Sequence, residues 1–150
     1  MESILSITRA LSDENRVRAL MALGDQEVCV CQLIELLQLA PSTVSKHMSI
    51  LKQAKLVAGS KKWRWMYYRL PGKVASPMVR QALSWVRQAA AEDPRIRADA
   101  GRMEKILGTN REKLCERQSS RRKQGAEMRY MTPLEDIPHL AGTPKQKCTA

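Results

Sequence analysis

The segment that best indicates the architecture is Pro41-Ser42-Thr43-Val44-Ser45-Lys46-His47-Met48-Ser49-Ile50-Leu51-Lys52-Gln53. Proline suits the first position of a helix, where its missing N–H costs nothing. Apolar residues then recur at helical spacing, while the opposite face carries hydroxyl and basic side chains. A shorter apolar helix is predicted just before it, from about Val30 to Gln38, with a tight turn at Leu39-Ala40. Two short helices joined by such a turn are typical of a helix-turn-helix.

A β-rich segment follows the two helices. Leu56-Val57-Ala58 and Trp65–Leu70 are separated by the basic stretch Gly59–Arg64, which predicts a two-stranded hairpin with a basic tip. A helix-turn-helix followed by such a hairpin is a winged helix, so the expected fold is mainly α with a small β-hairpin. A long helix is predicted next, from about Ala75 to Glu92, with an apolar stripe that a small domain cannot fully cover.

The pattern divides the chain into three regions. Residues 1–92 are predicted to form a winged helix-turn-helix domain for DNA binding and dimerisation. Residues 93–118 are predicted to form a helical extension, with Gly108-Thr109 as a possible interruption. Residues 119–150 are polar and basic, and we expect a mostly disordered tail.

The charge of the chain is strongly positive, at +11 with a pI near 9.9. Between Glu35 and Glu92 there is no acidic residue at all. Such a balance favours a polyanionic partner, with nucleic acid ahead of an anionic membrane. The lack of a long apolar run predicts a cytoplasmic protein. Its four cysteines are then expected to be reduced, without a disulfide framework.

Candidate DNA-contacting side chains occupy the hairpin tip and the polar face of the helix that begins at Pro41. Small polar and basic groups there can reach phosphates and base edges in a major groove. These residues are Ser42, Thr43, Ser45, Lys46, His47, Lys52, Lys61, Lys62 and Arg64. For His47, donation to a phosphate and a partly buried helix position are equally acceptable interpretations.

Two thiols, in Cys29-Val30-Cys31, stand at the start of the preceding helix. Thiolates suit As(III), Sb(III), Cu(I), Zn(II) and Cd(II), and a helix N-terminus is expected to lower their pKa. In a regular helix, residues i and i+2 point about 200° apart. Both thiols can therefore face one ion only if Cys29 lies at or before the N-cap and the first turn changes. The alternative is that these cysteines are simply buried.

Two thiols do not complete a trigonal arsenic site or a tetrahedral zinc site. Cys115, on the helical extension, is the best internal candidate for a third ligand. A small exogenous thiol is the alternative. Cys148 lies in the predicted tail and is not expected to be a ligand. The predicted metal site therefore consists of Cys29, Cys31 and Cys115.

The order of these pieces resembles the ArsR/SmtB family of metalloregulatory repressors, over about Leu11 to Leu70. The Cys-Val-Cys run is similar to the arsenic-responsive branch, although members of that branch can carry a further cysteine where this chain has Ile34. The resemblance implies a homodimer joined through the helix at residues 3–11 and the Ala75–Glu92 helix. It also implies an operator with an inverted repeat.

The leading functional expectation is a DNA-binding transcriptional repressor that is released from its operator when As(III) or Sb(III) binds the cysteine thiolates. No organic cofactor and no membrane partner are expected. One alternative is a redox-sensing repressor of the same fold that uses a thiol–disulfide pair. Another is a constitutive winged-helix nucleic-acid-binding module with structural cysteines. A thiol enzyme is disfavoured, because the Cys-X-Cys run has no βαβ setting and no paired catalytic histidine.

Overall fold

The computed structural model describes residues 1–130 of the 150-residue chain, with side chains to residue 120. Its helices are α1 (Glu2–Leu11), α2 (Glu14–Leu23), α3 (Val30–Leu37), α4 (Pro41–Gln53), α5 (Pro77–Ala90), α6 (Pro94–Leu107) and α7 (Arg111–Tyr130), with a 3₁₀ turn at Gly72–Val74. Its strands are β1 (Val28–Cys29), β2 (Ala58–Lys62) and β3 (Trp65–Arg69). The chain divides into two units, Met1–Glu116 and Arg117–Ala150. The winged helix lies in the first unit.

The predicted helix-turn-helix is confirmed as α3 and α4. Gln38 adopts a left-handed conformation (φ 54°) that ends α3, and its N–H donates to the Ile34 carbonyl. Pro41 begins α4 as predicted. Asp13 caps α2 by accepting a hydrogen bond from the Arg16 N–H at 3.0 Å. These local signals fix where each helix begins and ends.

The wing is a three-stranded antiparallel sheet in the order β1-β3-β2, rather than a two-stranded hairpin. The added strand is β1, in which Cys29 pairs with Tyr67 of β3. Two residues are too few for a periodic signal, so sequence patterning missed this strand. The hairpin strand β2 begins at Ala58, because Leu56 and Val57 are buried in the core instead.

Leucine, valine and methionine from α2, α3 and α4 dominate the core of the described residues. Leu23, Leu33, Leu36, Met48, Leu51 and Leu56 have the largest fully buried side chains. The extension joins this core, since α6 packs on α2 and α3 and buries Met103 and Ile106. The long helix α5 is shorter than predicted, since Ser76 caps it by accepting from the Val79 N–H at 3.4 Å.

The extension is interrupted between Leu107 and Arg111, as predicted, so α6 and α7 are separate helices. The helix α7 continues to Tyr130, whereas the sequence predicted that the helix ends at about Gln118. The reason is that residues 119–130 contain no proline and many good helix formers. The rest of the predicted tail, residues 131–150, lies outside the described residues. Within residues 1–130, no helix is long and apolar enough to cross a membrane.

Candidate metal centre and nucleic-acid interface

The structure brings together the three cysteines that the sequence singled out. Cys29 ends β1, Cys31 lies in the first turn of α3, and Cys115 lies on α7. All three side chains are buried, and their Sγ atoms lie within 4.8 Å of one another. Three sulfurs in one small volume form a donor set that suits a soft ion.

Cys29 is the N-cap of α3, as the sequence required for two convergent thiols. Its backbone is extended (φ −72°, ψ 145°), so the 200° separation expected within a regular helix does not apply. Its N–H donates to Oε1 of Gln32 at 2.9 Å, and Gln32 is only 3% exposed. Sequence reasoning did not identify Gln32, although a Gln at the third helical position is a capping-box signal.

Cys115 reaches the other two thiols because the extension folds back onto the domain. The link to α2 is a partly buried, bidentate ion pair: Arg18 Nε lies 2.6 Å from Asp99 Oδ2, and Arg18 Nη2 lies 3.0 Å from Asp99 Oδ1. The hydrogen bond to Asp99 raises the pKa of the Arg18 guanidinium. Leu114, beside Cys115, is also buried. The position of Cys115 therefore depends on contacts made by both α6 and α7.

Cys31 and Cys115 form a disulfide in this structure. This differs from the expectation that the cysteines are reduced. Their Cα atoms are 5.7 Å apart, within the usual range for a disulfide. The pair was hidden from sequence analysis because 84 positions separate its members. Cys29 is the member of the cluster that stays outside the disulfide.

Burial raises the pKa of the Cys29 thiol, so the expectation of a lowered pKa was wrong. Hydrogen bonds from backbone N–H groups in the first turn of α3 and the charge of Arg111 act in the opposite direction, but burial has the larger effect. Cys29 is therefore a neutral thiol at neutral pH. A soft ion that binds Cys29 must displace its proton.

An open cavity of about 830 Å³ lies beside the thiols. Cys29 and Cys115 line it, together with aromatic side chains of the wing and the junction between α6 and α7. Arg111 at this junction donates a hydrogen bond to the Tyr67 hydroxyl at 3.2 Å. This contact joins the cysteine-bearing helix α7 to the wing, and sequence reasoning did not foresee it.

Most of the predicted DNA-contacting side chains are solvent-exposed. Exposed positions on α4 are Ser42, Thr43, Ser45, Lys46 and Lys52, and those on the wing are Lys61, Lys62 and Arg64. The opposite face of α4 is buried, as its periodicity predicted. The chain therefore presents a continuous polar face on α4 and a basic wing, without an acidic residue on either.

Two of these predicted DNA-contacting side chains lie close to carboxylates of the protein. The side chain of His47 is only 13% exposed, and its Nδ1 lies 3.9 Å from Asp13 Oδ1. Lys62 pairs with Glu27, which lowers the pKa of that carboxyl group. His47 therefore occupies a half-buried helix position, which was one of its two interpretations.

The wing tip is aromatic as well as basic. The Arg64 guanidinium lies 4.2 Å from the centre of the Trp63 ring, and Trp63 is 76% exposed. Cation–π contact of this kind holds both groups at the surface. The turn needs a positive φ at Trp63 (55°), a conformation that non-glycine residues rarely adopt.

Comparison with known proteins agrees with this architecture. Residues 13–58 match the family model "Bacterial regulatory protein, arsR family". An arsenical resistance operon repressor of Bacillus subtilis is 30% identical over 76 residues, covering 50% of this chain and 72% of the relative. An uncharacterised HTH-type transcriptional regulator of Methanocaldococcus jannaschii is 34% identical over 68 residues, covering 45% of this chain and 76% of the relative.

A further relative is an arsenic resistance transcriptional regulator of Pseudomonas putida, 33% identical over 69 residues. The match covers 45% of this chain and spans little more than half (54%) of that relative.

Solved structures establish the fold. HlyU from Vibrio cholerae has a TM-score of 0.52 at 24% identity, covering 61% of this chain and 95% of HlyU. A homodimeric winged helix-turn-helix DNA-binding domain from Mycobacterium bovis has a TM-score of 0.52 at 22% identity, covering 62% of this chain and 82% of that domain. The predicted fold class, a winged helix-turn-helix, is confirmed.

Proposed function

The chain belongs to the arsR family of bacterial regulatory proteins, and on that premise we propose that it is a homodimeric transcriptional repressor induced by As(III) or Sb(III). In this proposal, binding of the ion to Cys29, Cys31 and Cys115 releases the repressor from its operator. One observation carries the proposal: the three sulfurs lie within 4.8 Å of one another although Cys115 is remote in sequence. The donor set fits trivalent arsenic or antimony, because both prefer soft ligands.

The DNA-binding part of the proposal rests on α4 and the wing. The exposed hydroxyl and basic groups of α4 enter the major groove, and Lys61 and Arg64 bind the flanking phosphates. Phosphate contacts of this kind make affinity fall steeply with salt. Two copies joined through α1 and α5 would place two recognition helices on an inverted repeat.

The coupling between the two sites starts at Cys29. Its backbone belongs to the sheet that forms the wing, and it is also the N-cap of α3. The helix α3 packs on α4. An ion held by all three sulfurs requires adjustment where α3 begins, and both DNA-contacting elements are attached there. To move the ratio of the DNA-releasing to the DNA-binding conformation from 1:99 to 99:1, the ion must favour the releasing conformation by about 5.5 kcal/mol. Several metal–sulfur bonds can supply this difference.

The test is a gel shift on an inverted-repeat operator with an arsenite titration, in the presence of a phosphine reductant. Cys115→Ser is expected to stay on DNA at arsenite concentrations that release the wild type. Cys148→Ser is the matched control, and its response should equal that of the wild type. Unchanged release of Cys115→Ser would exclude Cys115 as a ligand. A wild type that never responds would indicate a constitutive DNA-binding module.

A second candidate function is redox sensing, and the Cys31–Cys115 disulfide favours it. In this case an oxidant releases the DNA, a reductant restores binding, and arsenite has no effect. Cys29→Ser separates the two functions, because Cys29 is outside the disulfide. A redox sensor would still release DNA in response to an oxidant in this variant. An arsenic sensor would lose much of its response to arsenite.

A further inference from the structure

Trp63 at the tip of the wing leaves most of its indole in solvent. It is 76% exposed and begins the two-residue loop, Trp63-Arg64, that joins β2 to β3. The other strongly exposed large apolar side chains of residues 1–120 lie on the first residue, on α1, on α5 or on the 3₁₀ turn. The proposed dimer would cover those of α1 and α5, but the wing is a different element. Dimerisation therefore does not explain the exposure of Trp63.

The backbone at this position disfavours tryptophan. The φ angle of Trp63 is 55°, and two-residue hairpin loops that need a positive φ usually place Gly, Asn or Asp there. A bulky residue in this conformation is strained, and strain of this kind is concentrated at functional sites. The loop thus holds an aromatic ring outward, although most of that ring gains no burial within the described residues.

The surroundings of the ring are positively charged. The Arg64 guanidinium lies 4.2 Å from the centre of the Trp63 ring and 5.7 Å from that of Trp65, so it joins the exposed indole to a half-buried one. Lys62 is paired with Glu27, so the net charge of the tip comes from Lys61 and Arg64. A flat apolar ring beside a guanidinium matches nucleic acid, which offers stacked bases and phosphates together. An anionic lipid surface shares the charge but not the stacked rings.

The length of the wing suits contact with the groove next to the one that α4 enters. The strand β2 has five residues beyond the buried Val57, and at about 3.3 Å per residue it spans about 16 Å. Half a turn of B-DNA, about 17 Å, separates a major groove from the adjacent minor groove. Proteins that bind the minor groove insert apolar wedges between base pairs, and arginine favours the same groove.

We propose that Trp63 is a minor-groove wedge, which inserts its indole partly between two base pairs beside each half-site and bends the operator. Pyrimidine–purine steps unstack most easily, so the wedge favours a TA or CA/TG step at its point of insertion. The operator is then selected by deformability at a position that receives no hydrogen bond from a base-reading side chain. The inference rests on the DNA-binding part of the proposed function and does not depend on the inducer.

The first experiment measures affinity on operator DNA that the full chain, kept reduced, selects from a random library. Trp63→Gly is the main variant, because glycine adopts a positive φ without strain and the turn is retained. It should bind about tenfold more weakly, since stacking is lost. The slope of log affinity against log salt should not change, because no charge is removed. Lys61→Ala is the matched control, and its slope should be smaller by about one.

The second experiment observes the DNA. With 2-aminopurine at successive positions beside the half-site, wild type and Trp63→Phe should raise its fluorescence at one step by unstacking it, whereas Trp63→Gly should not. Energy transfer between dyes on the DNA ends should show a larger bend with wild type than with Trp63→Gly. Replacing the responsive step by AA should weaken wild type about fivefold. The same replacement should leave Trp63→Gly within about twofold.

Two results would overturn the inference: equal affinity and bend for wild type and Trp63→Gly, or weaker binding by Trp63→Gly with no step that wild type unstacks. A Trp63-dependent fluorescence change with phosphatidylserine vesicles, but not with operator DNA, would overturn it in favour of a membrane contact.

Failure of the inference is distinguishable from failure of the proposed function. If arsenite releases the wild type and Trp63→Gly binds and bends DNA equally well, only the inference fails. If the wild type binds and unstacks DNA through Trp63 but ignores arsenite, only the induction fails. If the chain selects no DNA, both fail.

Discussion

At the scale of single residues, Gln32 determines how Cys29 is held. The Gln32 side chain is buried and accepts the Cys29 N–H, a group at a helix start that has no partner within the helix. A cysteine at an N-cap is a weak hydrogen-bond acceptor compared with Ser or Asp. The hydrogen bond that the Gln32 side chain accepts from the Cys29 N–H therefore supplies much of the capping at the start of α3.

Gln32→Ala is expected to lower the free energy of unfolding by about 1–3 kcal/mol, because it leaves a buried N–H unsatisfied. Urea denaturation of the reduced protein measures the change. Gln53→Ala, at an exposed position on α4, should stay within about 0.5 kcal/mol of wild type. Equal stability of the Gln32 and Gln53 variants would contradict the role given to Gln32.

Sequence reasoning predicted the three cysteines, but not their chemical state. Cys115 was chosen because it lies on a helical extension that can fold back, and this placement agrees with the structure. The raised pKa of Cys29 and the Cys31–Cys115 disulfide were not predictable in the same way. Both depend on how closely remote segments pack, and spacing along the chain does not contain that information.

At the scale of elements, α6 is the link between the DNA-binding core and Cys115. Its packing on α2 depends on the Arg18–Asp99 pair, and both side chains are nearly inaccessible, at 13% and 5%. Arg18 also donates to Asn15 at 3.1 Å, which fixes the guanidinium on α2. A charge pair in this position sets the register of α6, and α6 in turn sets the position of α7.

Asp99→Asn is expected to destabilise the protein by about 1.5–3 kcal/mol, because it leaves the partly buried Arg18 guanidinium without its charged hydrogen-bond partner. Thermal and urea unfolding measure this effect. The matched control is Glu14→Gln, which breaks the exposed pair between Glu14 and Arg95 and should change stability by less than about 1 kcal/mol. Similar values for the two variants would show that the Arg18–Asp99 pair does not hold α6.

The helices were more predictable than the strands. The limits of α4 follow directly from Pro41 and the apolar periodicity that ends at Gln53. The strand β1 escaped prediction because its only signal is pairing with β3, a long-range contact. The extent of α7 escaped it because polar composition was interpreted as disorder, although the same residues are good helix formers.

At the scale of the whole molecule, the described residues leave large apolar side chains uncovered on two helices. Leu5 on α1 is 59% exposed, and Trp85 on α5 is 63% exposed. The apolar stripe of α5 was predicted to exceed what a small domain can cover. Exposed apolar surface of this kind is typical of an interface, which is consistent with the proposed homodimer.

Trp85→Glu is expected to shift the protein from a dimer towards a monomer, because a charge at an apolar interface loses solvation without gaining a partner. Light scattering after size exclusion should then give a mass near the 17.0 kDa of one chain. Trp63→Glu changes another exposed tryptophan, on the wing, and this variant should remain dimeric. Dimers in both variants would place the interface elsewhere.

The sequence separation of 84 between Cys31 and Cys115 also imposes an order on biosynthesis. A ribosome adding about 5–20 residues per second completes the helix-turn-helix and the wing several seconds before Cys115 emerges. A nascent chain can thus fold its DNA-reading part before its thiol cluster is complete. In the proposed function, responsiveness to the inducer is then the last property that the domain acquires, and a chain truncated before Cys115 is expected to lack it.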